Sequence, residues 1–288
     1  MITWPEEVIT SIARRRSVIF LGAGASMTSQ NVQGQKPPSW RAFLEEGINR
    51  CPGSKVEMKK LLKNGDYLSC CQFIKYKLDR DWVPFVEQQF LTPQFKPNEL
   101  HKAVFSLDSS IVLTPNFDKI FDNYASAQNQ NLLKIKKYYD DDIPRVLRGS
   151  GSQRLILKIH GCIDTPDKLV FTRENYANIR NNNANFYKAL DALILTHTFI
   201  FIGCGMNDPD LSLILEQYAR SFASAPSHYV ALGGAISTEY NRMLSSNYNL
   251  KILPYNTNSN HKELLDSVKE LGIKVEEERV RLAGSTLW

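Results

Sequence analysis

Four short polar motifs hold the residues of this chain whose types and spacing suit catalysis. A glycine-rich loop at residues 22–26 (GAGAS) comes first, followed by Asn116 and Asp118, by His160, and by a second glycine loop at residues 203–208 (GCGMND). Glycines let a backbone approach a phosphate closely, and a histidine can take up a proton near neutral pH. Asn and Asp side chains orient water or hydroxyl groups. Together these groups suit the binding and cleavage of a nucleotide such as NAD.

The elements that must position these motifs are buried strands. Each motif directly follows an apolar, β-branched run, at residues 17–21, 110–113, 155–159 and 199–202. Continuous apolar runs are typical of strands that are covered on both faces of a parallel sheet. The carboxyl ends of parallel strands meet at one edge of the sheet, so the four motifs are expected to converge on one crevice.

The rest of the chain predicts an α/β fold, a Rossmann-like, doubly wound parallel sheet with helices on both faces. Strand and helix patterns alternate through the second half, whereas residues 39–108 read as mostly helical. The simplest interpretation is one domain over residues 1–288, with a helical insertion at about 39–108 that covers the crevice. Ser39 is a suitable N-cap for the first helix of this insertion.

The sequence also predicts the structure of several short segments between the main strands and helices. A helix is expected from Phe117 to about residue 125, and Asp208 or Asp210 is expected to cap a later helix. The other expectations are loops at residues 140–144 and 180–185, a short strand at 169–171, and a charged tail or oligomer contact from Val275 onward.

Composition narrows the class of protein. The formal net charge is +5, a mildly basic value that by itself is not a nucleic-acid signature and leaves direct nucleic-acid binding open. The five cysteines include no Cys-x-x-Cys pair, so neither a zinc site nor a disulfide framework is expected. No apolar stretch approaches the length of a membrane span, and no signal-peptide pattern is present. These features suit a cytoplasmic protein without a membrane interaction.

Each motif also has a plainer interpretation. The glycine loop lacks the third glycine of the dinucleotide fingerprint, since residue 27 is Met, and its plainer interpretation is a tight turn without a ligand. Asn116 and Asp118 lie two apart, so in extended geometry both would face one pocket, but Asn and Asp often cap a following helix instead. A lone histidine such as His160 is often structural. Gly161 beside it is expected to leave open space.

In this order the four motifs resemble the SIR2-like (sirtuin-type) NAD-binding domain, in particular its bacterial anti-phage defence branch. The resemblance covers nearly the whole chain. The matching segments are residues 22–26 (GAGAS), 38–40 (PSW) with 43–44 (FL), 116–118 (NFD), 158–161 (KIHG) and 201–211 (FIGCGMNDPDL).

Two departures from sirtuin deacylases bear on the reaction. Residue 115 is Pro where deacylases usually have Gln, and the two Cys-x-x-Cys pairs of the deacylase zinc ribbon are absent. The resemblance therefore favours NAD⁺ hydrolysis over deacylation. Protein deacylation, ADP-ribosyl transfer and non-catalytic sensing of NAD or ADP-ribose remain the alternatives.

The resemblance implies a role for each site residue, with NAD⁺ as the substrate and no zinc. Asn116 would position the attacking water or the nicotinamide ribose, Asp118 would orient the nicotinamide end or stabilise charge, and His160 would be the base. The implied NAD-binding residues are Gly22, Ala23, Gly24 and Ser26 at the phosphates, Gly203 and Asp208 toward the adenosine, and Trp40.

The resemblance also implies regulation, because uncontrolled NAD⁺ hydrolysis would kill the host and the sequence shows no sensor domain. Short members of this branch are encoded beside a HerA-type ATPase or translocase, or beside an Argonaute-like protein. The expected assembly is a homo-oligomer bound to a HerA-type ATPase.

Overall fold

The computed structural model describes residues 1–128, 132–149, 153–206, 208–222 and 224–285. Its centre is a seven-stranded sheet with strand order β3-β4-β2-β1-β5-β6-β7. Every pairing is parallel, as the sequence predicted. The strands are β1 (Ser17–Leu21), β2 (Ile111–Thr114), β3 (Leu133–Lys137), β4 (Arg154–Lys158), β5 (Thr198–Ile202), β6 (His228–Gly233) and β7 (Leu250–Tyr255).

Thirteen α-helices are described around this sheet. The sequence predicts helices at residues 40–50, 67–78 and 82–90, and α2, α4 and α5 have these bounds. The helices are α1 (Glu6–Ala13), α2 (Trp40–Arg50), α3 (Val56–Lys63), α4 (Tyr67–Leu78), α5 (Trp82–Phe90), α6 (Glu99–Ser106), α7 (Ile120–Gln128), α8 (Ile143–Arg148), α9 (Arg173–Asn182), α10 (Ala184–Thr196), α11 (Pro209–Ser221), α12 (Thr238–Tyr248) and α13 (Asn258–Ala283).

Burial explains why the apolar runs became central strands. All residues of β1, β2 and β4 are buried, because helices cover both faces of the sheet. Helices α1, α6 and α13 pack on one face, and α10 and α11 pack on the other. The alternating side chains of each strand therefore enter two separate cores.

The helices that follow β1 divide into two groups. Helices α2 to α5 share an aromatic core of their own, which contains Phe43, Trp82 and Phe85. Helix α6 instead buries Leu100 and Val104 in the core against the sheet. Ser39 caps α2 as predicted, since its hydroxyl accepts a hydrogen bond from the Ala42 N–H at 3.2 Å.

Several local predictions were wrong. Helix α7 begins at Ile120 rather than Phe117, because the Asp118 carboxylate caps the Ile120 N–H and Phe117 packs against Phe90 and Phe171. The predicted loop at 140–144 already contains the start of α8, in which Pro144 occupies the first turn, where a proline costs no helical hydrogen bond.

The segments at 169–171, 180–185 and beyond Val275 also differ from expectation. Residues 169–171 are not a strand, and only the Val170 N–H reaches toward the sheet, to the His160 carbonyl. At 180–185 two helices meet, separated by Asn183 alone. The segment from Val275 continues α13, in which Val275 and Leu282 are buried against the core, whereas residues 286–288 lie outside the described range.

Among the described residues, none of the helices is both long enough and apolar enough to cross a membrane.

Candidate active site

The sheet topology brings the four motifs to one edge. From β1 the chain places β2, β3 and β4 on one side of β1, and then β5, β6 and β7 on the other side. A crevice therefore forms at the carboxyl ends of β1 and β5, where the direction reverses. Thr114 pairs with Lys158, so Asn116 and His160 each lie two residues beyond matched positions of neighbouring strands.

The two glycine loops pack against each other through their backbones. The N–H groups of Gly22 and Gly24 donate to the carbonyls of Ile202 and Gly203 at 2.9 and 2.8 Å. A Cβ atom at Gly22 would lie 2.4 Å from the Gly203 oxygen, and one at Gly24 would lie 2.7 Å from it. Gly203 has a φ of +65°. The glycines thus allow this close approach, and their own N–H groups are already engaged, which leaves exposed Ala23 at the front of the loop.

Ser26 is oriented by His101, a histidine of α6 that lies outside the four sequence motifs. The Ser26 hydroxyl lies 3.3 Å from His101 Nε2, while His101 Nδ1 accepts the Asn98 N–H. Nδ1 therefore has no proton, so Nε2 donates and the hydroxyl hydrogen of Ser26 remains available to an acceptor. Asn98 also donates to the Ala25 carbonyl at 2.7 Å, which fixes α6 to the loop.

The burial of two histidines, His101 and His228, predicts that the stability of the fold decreases in acid. Burial lowers the pKa of His101 and of His228 from 6.5 to about 4. The unfolded chain binds protons at these positions first, so their contribution to the free energy of unfolding is intact above pH 6.5 and is lost as the pH falls toward 4. We expect the melting temperature of the double variant His101→Asn/His228→Asn to vary less with pH over this window than that of the unsubstituted chain. If the melting temperatures of the variant and of the unsubstituted chain change equally with pH between pH 4 and 7, the two histidines are not the source of the acid sensitivity.

Asn116 and Asp118 make different contacts. Strand β2 ends at Thr114, so the alternation of an extended strand does not apply to these two residues. The Asn116 amide donates to the Gly22 carbonyl at 3.2 Å and so lies beside the first glycine loop. Asp118 accepts the Ile120 N–H at 2.9 Å as a cap of α7. Burial raises the pKa of Asp118, and the nearby Lys158 opposes that shift.

Lys158 fixes the Asn-Phe-Asp loop to the strand that carries the histidine. Its ammonium group is fully buried and donates to the Asp118 carbonyl and to the Asp122 carboxylate, both at 2.6 Å. A lysine within the apolar run of β4 was the signal for a buried partner. Burial raises the pKa of Asp122, and the attraction of Lys158 opposes that shift.

His160 lies against a carboxylate from the opposite side of the crevice. Its Nε2 is 3.1 Å from Asp208 Oδ2, and both side chains are nearly buried. The Tyr176 hydroxyl donates to the same oxygen at 2.9 Å, and the Tyr176 ring packs edge-on to the imidazole. Sequence analysis did not identify Tyr176 and assigned Asp208 to the adenosine side.

Gly161 does not leave open space beside His160; the backbone conformation and the close packing at this position require glycine. It has a φ of +83°, and a Cβ atom there would lie 2.6 Å from the Lys168 carbonyl oxygen. The expectation of free volume beside His160 was therefore wrong. Glycine instead permits a left-handed backbone and close packing of the following loop.

Trp40 lies in the aromatic core of the helices that follow β1. Its ring stacks on Phe43 and Phe171, with centroids 5.5 and 5.8 Å away. The side chain is partly exposed. Its assignment to NAD binding stays a prediction.

A cleft of about 650 Å³ opens beside the glycine loops. Gly24 and residues 203–205 form one wall, the start of α6 forms another, and Tyr255 with His261 closes the far side. The structure thus joins both glycine loops to the cleft, whereas Asn116, Asp118, His160 and Asp208 are not among its lining residues.

The two cysteines of the site, Cys162 and Cys204, are poor nucleophiles. Burial raises the pKa of Cys204 to about 11 and also raises that of Cys162. A thiol with a raised pKa is mostly protonated at neutral pH. Across the described part of the chain, no group of three His, Cys, Asp or Glu side chains is arranged to hold a metal ion.

Comparison with known proteins places this geometry in context. The SIR2-like domain matches residues 110–253, which is half of the chain. The chain is 23% identical over 249 residues to the "NAD(+) hydrolase ThsA" of Acinetobacter baumannii (strain 532279), covering 85% of this chain and 48% of that protein. It is 25% identical to the protein of the same name from Cytobacillus dafuensis, covering 74% and 40%.

A further relative is the "Defense-associated sirtuin 2" of Bacillus subtilis. Identity is 22%, over 73% of this chain and 20% of that protein. The chain thus spans less than half the length of each of these curated relatives.

Proposed function

The chain belongs to the SIR2-like domain family, and on that premise we propose that it hydrolyses NAD⁺ to nicotinamide and ADP-ribose. The observation that carries the proposal is the convergence of two glycine loops, Asn116 and His160 at one edge of the sheet, beside a cleft of about 650 Å³. Relatives named as NAD⁺ hydrolases support the same reaction.

The reaction breaks the bond between ribose C1′ and the nicotinamide nitrogen. The bonding electrons go to the nitrogen, so nicotinamide leaves as a neutral molecule and needs no general acid. The ribose passes through an oxocarbenium-like state, and water forms the new bond to C1′ and gives up a proton. The protein must therefore orient the ribose, stabilise positive charge and accept that proton.

The contacts of Asn116 and His160 suit these roles. One of the two Asn116 side-chain amide hydrogens is donated to the Gly22 carbonyl, which orients the amide. Its carbonyl oxygen Oδ1 is the atom that would accept a hydrogen from water or ribose. His160 would receive the proton. The partly buried Asp118 would contribute negative charge near the nicotinamide end.

Phosphate binding would involve the front of the first loop. Ala23 is exposed there, and Ser26 has a hydroxyl hydrogen left over from its contact with His101. The start of α6 lines the cleft together with Gly24 of the first loop, and the helix dipole of α6 favours an anion there. Gly203 and Trp40 are assigned to NAD binding on the resemblance alone.

The biological role that we propose is anti-phage defence through NAD⁺ depletion in the bacterial cytoplasm. The relative named as a defence-associated sirtuin supports this role. Regulation by a HerA-type ATPase and assembly as a homo-oligomer are proposed as the means of control, with an Argonaute-like protein as the alternative partner.

Incubation of the purified chain with NAD⁺ in H₂¹⁸O tests the reaction. We expect equal amounts of nicotinamide and ADP-ribose, with one ¹⁸O atom at C1′ of the ribose, because water is the acceptor. Mass spectrometry distinguishes hydrolysis from transfer, since a transferred ADP-ribosyl group takes its new oxygen or nitrogen from the acceptor. Stable NAD⁺, even with the genomic-neighbour ATPase supplied, would contradict the proposal.

A further inference from the structure

The carboxylate of Asp208 has all its acceptor positions filled. Oδ1 accepts the N–H groups of Asp210 and Leu211, at 3.1 and 2.9 Å, as the cap of α11. Oδ2 accepts the Tyr176 hydroxyl and lies 3.1 Å from His160 Nε2. Two oxygens with four partners use the full capacity of a carboxylate. The residue is therefore held in one rotamer.

The charge of this carboxylate is also maintained. Burial alone would raise the pKa of Asp208, but the His160 interaction, the Leu211 N–H and the Tyr176 hydroxyl outweigh burial and lower it. Asp208 is thus an anion at neutral pH and can only accept hydrogen bonds. An acceptor beside Nε2 requires the proton of the neutral imidazole to be on Nε2.

We propose that Asp208, supported by Tyr176, is the positioning residue that fixes the tautomer of His160 and leaves Nδ1 as the basic nitrogen. The proposal rests on the proposed function, in which His160 accepts the proton of the attacking water. The arrangement gives the base a buried carboxylate as orienting partner, although the two residues come from strands on opposite sides of β1 and β2.

Asp208→Asn separates this role from helix capping. Asn is as good an N-cap as Asp, so its Oδ1 keeps the N–H groups of Asp210 and Leu211. The amide nitrogen then takes the place of Oδ2 and presents hydrogens to His160. Nε2 must accept from it, so the imidazole proton moves to Nδ1 and the basic nitrogen is lost.

Two other variants complete the design. Tyr176→Phe removes one hydrogen bond from Oδ2 but keeps the acceptor, so the tautomer should stay unchanged and kcat should fall by less than about 10-fold, the usual effect of one hydrogen bond. Asp210→Asn is the matched control, because Asp210 lies in the same helical turn but contacts Tyr187 and Arg180.

The first measurement is the ¹⁵N chemical shift of histidine in labelled protein at alkaline pH, with the His160 signals assigned by their absence from His160→Ala. We expect the proton on Nε2 in the unsubstituted chain, in Tyr176→Phe and in Asp210→Asn, and on Nδ1 in Asp208→Asn. A proton on Nδ1 in the unsubstituted chain, or no change in Asp208→Asn, would overturn the proposal.

The second measurement is steady-state NAD⁺ hydrolysis. We expect Asp208→Asn to lower kcat by about 100-fold or more, with KM changed less than about 3-fold, because the base and not the binding surface is lost. An unchanged kcat would overturn the role. If the unsubstituted chain does not hydrolyse NAD⁺, the proposed function fails, and the tautomer measurement alone decides whether Asp208 controls His160.

Discussion

The His160→Ala variant is expected to lose NAD⁺ hydrolysis by a factor of about 10² to 10⁴, the range over which a positioned general base contributes to rate. The fold should survive, because within the described part of the chain the polar contact of the imidazole is with the Asp208 carboxylate and its aromatic contact is with the Tyr176 ring. Asp208 keeps three other hydrogen bonds in this variant. The measurement is the initial rate of nicotinamide release, together with a thermal melt of the same sample.

His197→Ala is the matched control for this experiment. His197 ends α10 at the amino end of β5, on the edge of the sheet opposite the candidate site. Its activity should equal that of the unsubstituted chain. Retention of activity by His160→Ala would remove the base from the mechanism, and loss of the folded state would show that the histidine is structural.

Asn116→Ala should lose activity along with His160→Ala but for a different reason. It removes the side chain that would hold water or ribose and also the hydrogen bond to the Gly22 carbonyl. Its KM is therefore expected to rise as well, because the first glycine loop loses a contact.

The Lys158→Met variant is expected to lower the free energy of unfolding by about 3–5 kcal/mol, the usual cost of breaking a buried ion pair from one side. Methionine fits the volume of the lysine stem but leaves the buried Asp122 carboxylate without its partner. The Asp118 carbonyl also loses a donor. Chemical denaturation followed by tryptophan fluorescence measures the change.

Two comparisons make the result specific. Lys119→Met removes a partly exposed lysine that pairs with Asp164, and such pairs contribute about 1 kcal/mol or less. Adding Asp122→Leu to Lys158→Met should recover most of the lost stability, because the Asp122 carboxylate that lost its partner is then removed as well. A small effect of Lys158→Met alone, equal to that of Lys119→Met, would show that the buried pair contributes nothing beyond a surface pair.

The activity that depends on His160 and the stability that depends on Lys158 have a common structural origin. Lys158 lies two residues before His160, and its ammonium group holds the backbone of Asp118. The loop that carries Asn116 and the strand that carries His160 are therefore fixed to each other by a buried charge. We expect Lys158→Met to lower activity as well as stability.

Much of the fold was determined by local sequence signals. The continuous apolar runs predicted the central strands, because a strand covered on both faces needs apolar side chains at every position. Ser39 and Asp208 each cap a helix at the expected place, since capping depends only on residues two or three positions apart. The location of the four motifs at strand ends followed from the same patterns.

Local sequence patterns were less informative where contacts with distant parts of the chain determine the secondary structure, as at Phe117 and at residues 169–171. Phe117 was predicted to begin a helix, but its ring packs against Phe90 and Phe171, which come from other parts of the chain. The strand predicted at 169–171 has the composition of a strand but pairs with none of the described strands of the sheet. Apolar residues can be buried in an aromatic core as well as in a β-sheet, so the composition of a short segment does not tell a core loop from a strand.

The partners of the site residues were decided by the tertiary structure alone. Ser26 meets His101 across 75 residues of chain, and Lys158 meets Asp122 across 36. Asp208 reaches His160 because β4 and β5 lie on opposite sides of β1 and β2 and their loops close over the same crevice. Sequence patterns report what each residue needs, such as burial, a cap or a counter-charge. Which residue meets that need depends on the order of strands in space, and that order follows from packing over the whole chain.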